Sequence, residues 1–170
     1  MGILSGNPKD EPLHYGEVSA VWVASLSAKS LAAGYSTLLN HAGDEDLKKL
    51  IEEAITIGQA EASALDQVLK ENGVGLPPAP PERPKANIED IPAGARFQDP
   101  EIAASISRDI GIGLTAASMA MSQCIREDIA MLFGQFHAAK VKLGGEFLKL
   151  HKEKGWLIVP PLHRELVGAR

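Results

Sequence analysis

The chain has 170 residues, 45% of them apolar and 23% charged, with a formal net charge of −5 and one cysteine. That length suits a single domain with its own core, and the composition is that of a folded chain rather than a disordered one. The acidic balance, without any block of Lys or Arg, argues against nucleic-acid binding, and Cys124 alone excludes an internal disulfide or a thiolate metal cluster.

The N-terminus lacks the basic start and long apolar run of a secretory signal, and no apolar stretch is long enough for membrane insertion. From Asp10-Glu11-Pro12, an acidic cap with proline at the first turn, a first helix is expected over 12–42. Val18, Trp22, Leu26, Leu31, Leu38 and Leu39 are the bulky members of its buried stripe, and Gly43 stops it. Asp44 caps a second helix over 45–72, with Leu47, Leu50, Ile51, Ala54, Ile57, Gly58, Leu65, Val68 and Leu69 at helical spacing.

Residues 73–98 form the unusual stretch, with six of the chain's eleven prolines between Gly73 and Pro92. Antiparallel neighbours in a bundle need only about 2 to 8 linking residues. A segment this long and stiff, at about 3.1 Å per residue, outreaches a helix of about 42 Å. It is expected to cross the whole bundle, so that helices two and three run parallel, with Val74, Leu76, Ile88, Ile91 and Phe97 pinning it to the surface. The PxxP within "PPAPPERP" is explained by this crossover without a partner domain.

Asp99 as N-cap, Pro100 and Glu101 open a third helix over 100–122, with Ile102, Ile106, Ile110, Leu114, Ala117 and Met121 on its apolar stripe. A fourth stripe carries Ile129, Phe133, Phe136, Leu143, Phe147 and Leu150 over 127–154. One helix through both would measure roughly 80 Å, too long for this chain, so a break is placed within "SQCIRED", residues 122–128. The small residues of "SLSAKSLAAGYS" and "IGIGLTAASMAMS" either bring helices one and three into close contact or mark shallow burial. The tail, 156–170, is expected to pack back across the bundle. The fold class is therefore all-α: a ferritin-like four-helix bundle with a long crossover.

A ferritin-like di-metal site needs Glu-x-x-His on two helices. The one such pair, Glu11 and His14, sits at the frayed start of helix one, so no metal and no cofactor is expected. Glu61 and His137 meet at one level if helices two and four run antiparallel; a hydrogen-bonded pair is preferred there over a metal site, with Asp109 and Glu17 a turn or more away. His14 and Glu17 read as a solvated local pair, and His41, His151 and His163 as surface residues. Cys124 reads as a structural thiol, and the "GIG" at 111–113 as a point of close helix packing rather than a phosphate loop. No catalytic set emerges. Val21, Val23 and Leu31 broaden the apolar face of helix one and suggest a homodimer.

"EVSAVW", "GVGLPPAPPERP" followed by "ARFQDPEI", "IREDIAMLF" and "EKGWLIVPP", in this order over roughly residues 10–162, resemble a spore-coat-protein-like domain family of endospore-forming bacteria, related to the coat protein F group. The resemblance implies a ferritin-like bundle, Arg126 and Asp128 at the start of helix four, no catalytic residues, and a structural or interaction role in sporulation. Coat proteins or a second copy are the implied partners, and the location implied is cytoplasmic or spore-associated. The alternative is a metal-binding or redox bundle with a degenerate site.

Overall fold

The computed structural model describes residues 11–163, and among these no strand occurs. Four helices, α1 (Tyr15–His41), α2 (Glu45–Glu71), α3 (Asp99–Gln123) and α4 (Glu127–Glu153), form a bundle, with two short 3₁₀ turns, Ile88–Asp90 and Ala93–Ala95, in the α2–α3 connection. α1 packs most extensively on α2, and α3 on α4; the two hairpins then meet along α2–α4 and α1–α3.

Hydrogen bonds at the two ends settle the helix directions. At one end the Glu17 carboxylate, only 1% exposed, accepts from the backbone N–H of Ile125 and Arg126 at 2.8 and 2.9 Å and from His14 N–H at 3.1 Å. The Arg126 guanidinium grips Asp128 through two nitrogens, at 2.6 and 3.0 Å, and donates to Glu11 O and Asn72 Oδ1. The starts of α1 and α4 thus meet the ends of α2 and α3. At the other end Asp99 accepts from Gly43 N–H and Asp44 N–H, and Lys154 pairs with Asp44 and Asp46. Hydrogen bonding from these two carboxylates raises the Lys154 ammonium to about 12. α2 and α3 therefore run parallel, on one diagonal of the bundle.

The crossover is laid along α1. Trp22 Nε1 donates to Gly75 O at 3.0 Å, Lys29 Nζ to Pro77 O at 2.9 Å, and Asn40 Nδ2 to Pro84 O at 3.0 Å, while Ala86 N–H returns to Asn40 Oδ1. Lys29 also pairs with Asp66 of α2, which accepts from the buried Ser25 hydroxyl, so α1, α2 and the crossover are tied at one level. Of the five apolar residues expected to pin the segment, Leu76 and Phe97 are exposed, although Phe97 sets its ring edge-on to His41. Backbone carbonyls and the buried Pro77 do more of the anchoring.

Several local expectations are corrected. α1 begins at Tyr15, not at Pro12, because His14 Nδ1 accepts from Gly16 N–H and Glu17 returns to the His14 N–H, a reciprocal cap. Glu17 is consequently no solvated partner of His14 but a buried one. Asp99 lies inside α3 and caps the α1–α2 turn; Gln98 stands at the N-cap, with Glu101 accepting from its N–H at 2.8 Å. Gly43 has no positive φ; a Cβ there would lie 3.3 Å from Asp99, whereas Gly73 and Gly155 take the left-handed turns that end α2 and α4.

The buried line of α1 is Glu17, Val21, Ser25, Ala28, Ala32 and Tyr35. The six bulky residues expected there all lie on its half-buried flanks. Small residues at the centre let α2 approach: a Cβ on Gly58 would touch Ala28 O at 3.5 Å and the Ala32 methyl at 3.6 Å. Of the residues expected to widen the outer face, Val21 is fully buried and Leu31 packs on the core, leaving Val23 exposed. His151 is buried too, its Nε2 at 3.1 Å from Ser107 Oγ.

Over its described residues, 156–163, the tail does not pack back across the bundle: Trp156 packs on the core, but Ile158, Val159 and Leu162 stand exposed, Ile158 by 90%. Residues 164–170 of the expected tail, and residues 1–10, lie outside the described residues.

Removing the Glu17 carboxylate takes the acceptor from three backbone N–H groups, that of Arg126 buried and those of Ile125 and His14 partly so, each a penalty of about 1 kcal/mol or more. Glu17→Ala is expected to lower unfolding stability by about 3 kcal/mol in urea titration, and Glu17→Gln by less; equal stability of all three chains would show that the end is not held this way.

Candidate functional site

The small residues of α1 and α3 leave a space along part of the seam between them. Ala20, Ala24 and Ala28 on α1 face Ala116, Ala117 and Ala120 on α3 across an apolar groove of about 420 Å³. Neither row carries enough side chain to fill the gap, so over this stretch a groove with shallow burial stands beside the contact that α1 and α3 make elsewhere along their seam. Leu65 of α2 and Phe133 and Phe136 of α4 form its floor, and Phe133 and Phe136 pack edge to face with centroids 6.1 Å apart. Val23 and Met119, both more than half exposed, stand on its rim.

An ion pair closes the inner end: Lys140 Nζ donates to Glu61 Oε1. Their side chains are 17% and 11% exposed, and the ammonium also lies 5.8 Å from the centre of the Phe136 ring, within cation–π range. Gly113 makes room for the lysine stem, since a Cβ there would stand 2.8 Å from Lys140 Cε. Burial pushes the Glu61 carboxyl up from its ordinary value, and the hydrogen bond and charge of Lys140 pull it back only in part.

Glu61 therefore does lie in the bundle interior, but its partner is Lys140, not His137, which is half-buried on the preceding turn of α4. Asp109 instead accepts from Tyr35 Oη at 3.5 Å; burial, then the nearby Asp109 charge, pushes that phenol up. Among the described residues no three His, Cys, Asp or Glu side chains gather as a metal ion would require. Burial, followed by the charges of Glu17 and Asp128, pushes the Cys124 thiol up, the reverse of what a nucleophile needs. Ser107 and His151 are within hydrogen-bond distance, yet among the described residues His151 Nδ1 has no partner to orient the ring for base catalysis.

Lys140 had a signal in the sequence. Phe133, Phe136, Leu143, Phe147 and Leu150 recur at 3- and 4-residue steps, and Lys140 stands where the next apolar residue belongs. Glu61 occupies the same kind of position on α2, between Gly58 and Leu65. A charge of each sign on two facing apolar stripes points to a buried pair.

Comparison with known proteins follows the same architecture. The family described as "Protein of unknown function (DUF3231)" matches residues 1–166. The "Uncharacterized protein YvdQ" of Bacillus subtilis is 55% identical over 163 residues, covering 96% of each chain. A crystal structure from Bacillus halodurans, described as a "putative spore coat protein", is 57% identical with a TM-score of 0.92, covering 94% of this chain and 100% of that one. The chain belongs to the DUF3231 family.

Removing one member of a buried ion pair strands the other charge, at a cost of about 3 kcal/mol or more, whereas an apolar replacement of both is close to neutral. Glu61→Ala is expected to show that loss in chemical denaturation, and Glu61→Leu with Lys140→Met to restore most of it. Additive losses in the double variant would mean that the two charges do not depend on each other.

Proposed function

We propose that this member of the DUF3231 family is a non-catalytic structural or interaction protein of the spore. The observation carrying this reading is the likeness, 57% identical over 94% of the chain, to the Bacillus halodurans protein described in coat terms. The interior chemistry supports this reading: Glu61 and Lys140 neutralise each other, burial pushes the Cys124 thiol up, and the Ser107–His151 pair lacks an orienting group among the described residues.

A metal-binding or redox bundle is the competing reading. The Lys140 ammonium occupies the acceptor that a cation would take on Glu61, which weighs against it. Stoichiometric iron, manganese or zinc that disappears in Glu61→Ala would reverse the ranking.

An interaction role needs a surface. Past Trp156 the chain offers Ile158, Val159 and Leu162 to solvent, an aliphatic run of the kind that marks association sites. In this reading the run joins copies of the chain to one another within the coat. No described helix is long and apolar enough to cross a membrane.

Immunodetection across a sporulation time course is expected to find the protein appearing with sporulation and extracting with the coat fraction. Constant levels in vegetative cells, with none in coat extracts, would contradict the role. In light scattering, a chain carrying Ile158→Asp, Val159→Asp and Leu162→Asp is expected to be smaller than the wild type; two equal masses would remove the run from the account.

A further inference from the structure

The α1–α3 groove has a shape and a charge that the structural reading does not use. Along α1 its lining runs from Gly16 to Leu31, about 22 Å at 1.5 Å per residue. Spread over that length, 420 Å³ leaves a mean cross-section of roughly 19 Å². That is room for one extended hydrocarbon chain.

The walls are alanine methyls and the floor is Leu65, Phe133 and Phe136, surfaces that gain from covering aliphatic carbon and offer a ring system no hydrogen-bond pattern to match. The polar groups lie at the edges: Ser19, Ser27 and Gln123 on the exposed rim, and Lys140 with Glu61 at the inner end.

Among the described lining residues Lys140 is the single cation. Its ammonium has three donors, and Glu61 takes one. Burial raises the Glu61 carboxyl, which weakens its hold on the negative charge that a second carboxylate arriving at Lys140 would face. A positively charged head group would find Glu61 already engaged by Lys140, and a neutral one would forgo the ion pair.

We propose that this groove binds an unbranched long-chain carboxylate, a fatty acid lying along α1 and α3 with its acid group at Lys140. The small residues of the two helices then have a common purpose: each methyl in place of a larger side chain keeps the channel one chain wide.

The test is calorimetric titration of the full chain with laurate, dodecanol and dodecylamine. Laurate is expected to bind one per chain. Dodecanol should bind about tenfold more weakly or worse, the worth of one charge-assisted contact, and dodecylamine not measurably. Ala116→Trp places an indole over the groove from an exposed position, so it should abolish laurate binding without changing the thermal melt. Lys140→Met should reduce laurate to the dodecanol level, and Lys140→Arg, which keeps the charge should the Met variant unfold, should retain binding. No saturable laurate binding, equal binding of the three head groups, or laurate binding that survives Ala116→Trp would each overturn the proposal. So would a ligand-free dimer that Ala116→Trp dissociates, since a second copy would then be the occupant.

Discussion

A match of lengths between the crossover and α1 governs the architecture. From Trp22 to Asn40 the helix climbs about 27 Å, and from Gly75 to Pro84 an extended proline-rich chain covers about 28 Å. The two therefore stay in step, and Trp22, Lys29 and Asn40 find carbonyls at the right heights. Proline has no N–H, so the direction of these bonds follows: helix side chains donate and the crossover accepts, except where Ala86 N–H reaches Asn40 Oδ1. A flexible loop of the same length would lose far more entropy on being laid down than a segment whose φ angles are already restricted.

Everything downstream depends on that traverse. Because the crossover carries the chain back to the end where α2 began, α3 starts beside the α1–α2 turn, where Asp99 can cap Gly43 and Asp44. α3 then ends where α1 begins, which brings the α3–α4 turn onto Glu17. Each helix packs against two antiparallel neighbours, and the remaining freedom lies in how closely the hairpins approach. α1 and α3 meet at Tyr35 and Asp109, whereas alanines and serines nearer the start of α1 leave part of that seam open. The groove and the ion pair at its inner end are consequences of connectivity combined with side-chain volume.

The clearest messages in the sequence were those that act through the backbone. Proline placement separated the crossover from the helices, and the stripes of α3 and α4 showed which residues are buried, Ile102, Ile106, Ile110, Phe133 and Phe147 among them. α1 was harder to read because its buried line is short side chains and one carboxylate, which hydrophobicity does not flag. Glu17 owes its burial to acceptor demand from a turn more than 100 residues away, and no local pattern carries that. Lys140 was legible as the gap in a heptad stripe, but its pairing with Glu61 required knowing which helices face one another. The tail's aliphatic composition was plain, yet composition alone does not distinguish a segment that packs on its own bundle from one that faces outward.

The direction of α2 relative to α3 is the claim on which the rest stands, and distances between spin labels measure it. In a Cys124→Ser background, labels at Glu45 and Glu101, both at helix starts, are expected to lie close together, and labels at Glu45 and Ser122 to be separated by about the length of α2, roughly 40 Å. A long first distance and a short second one would mean antiparallel helices, a crossover that does not traverse the bundle, and no groove of the kind described.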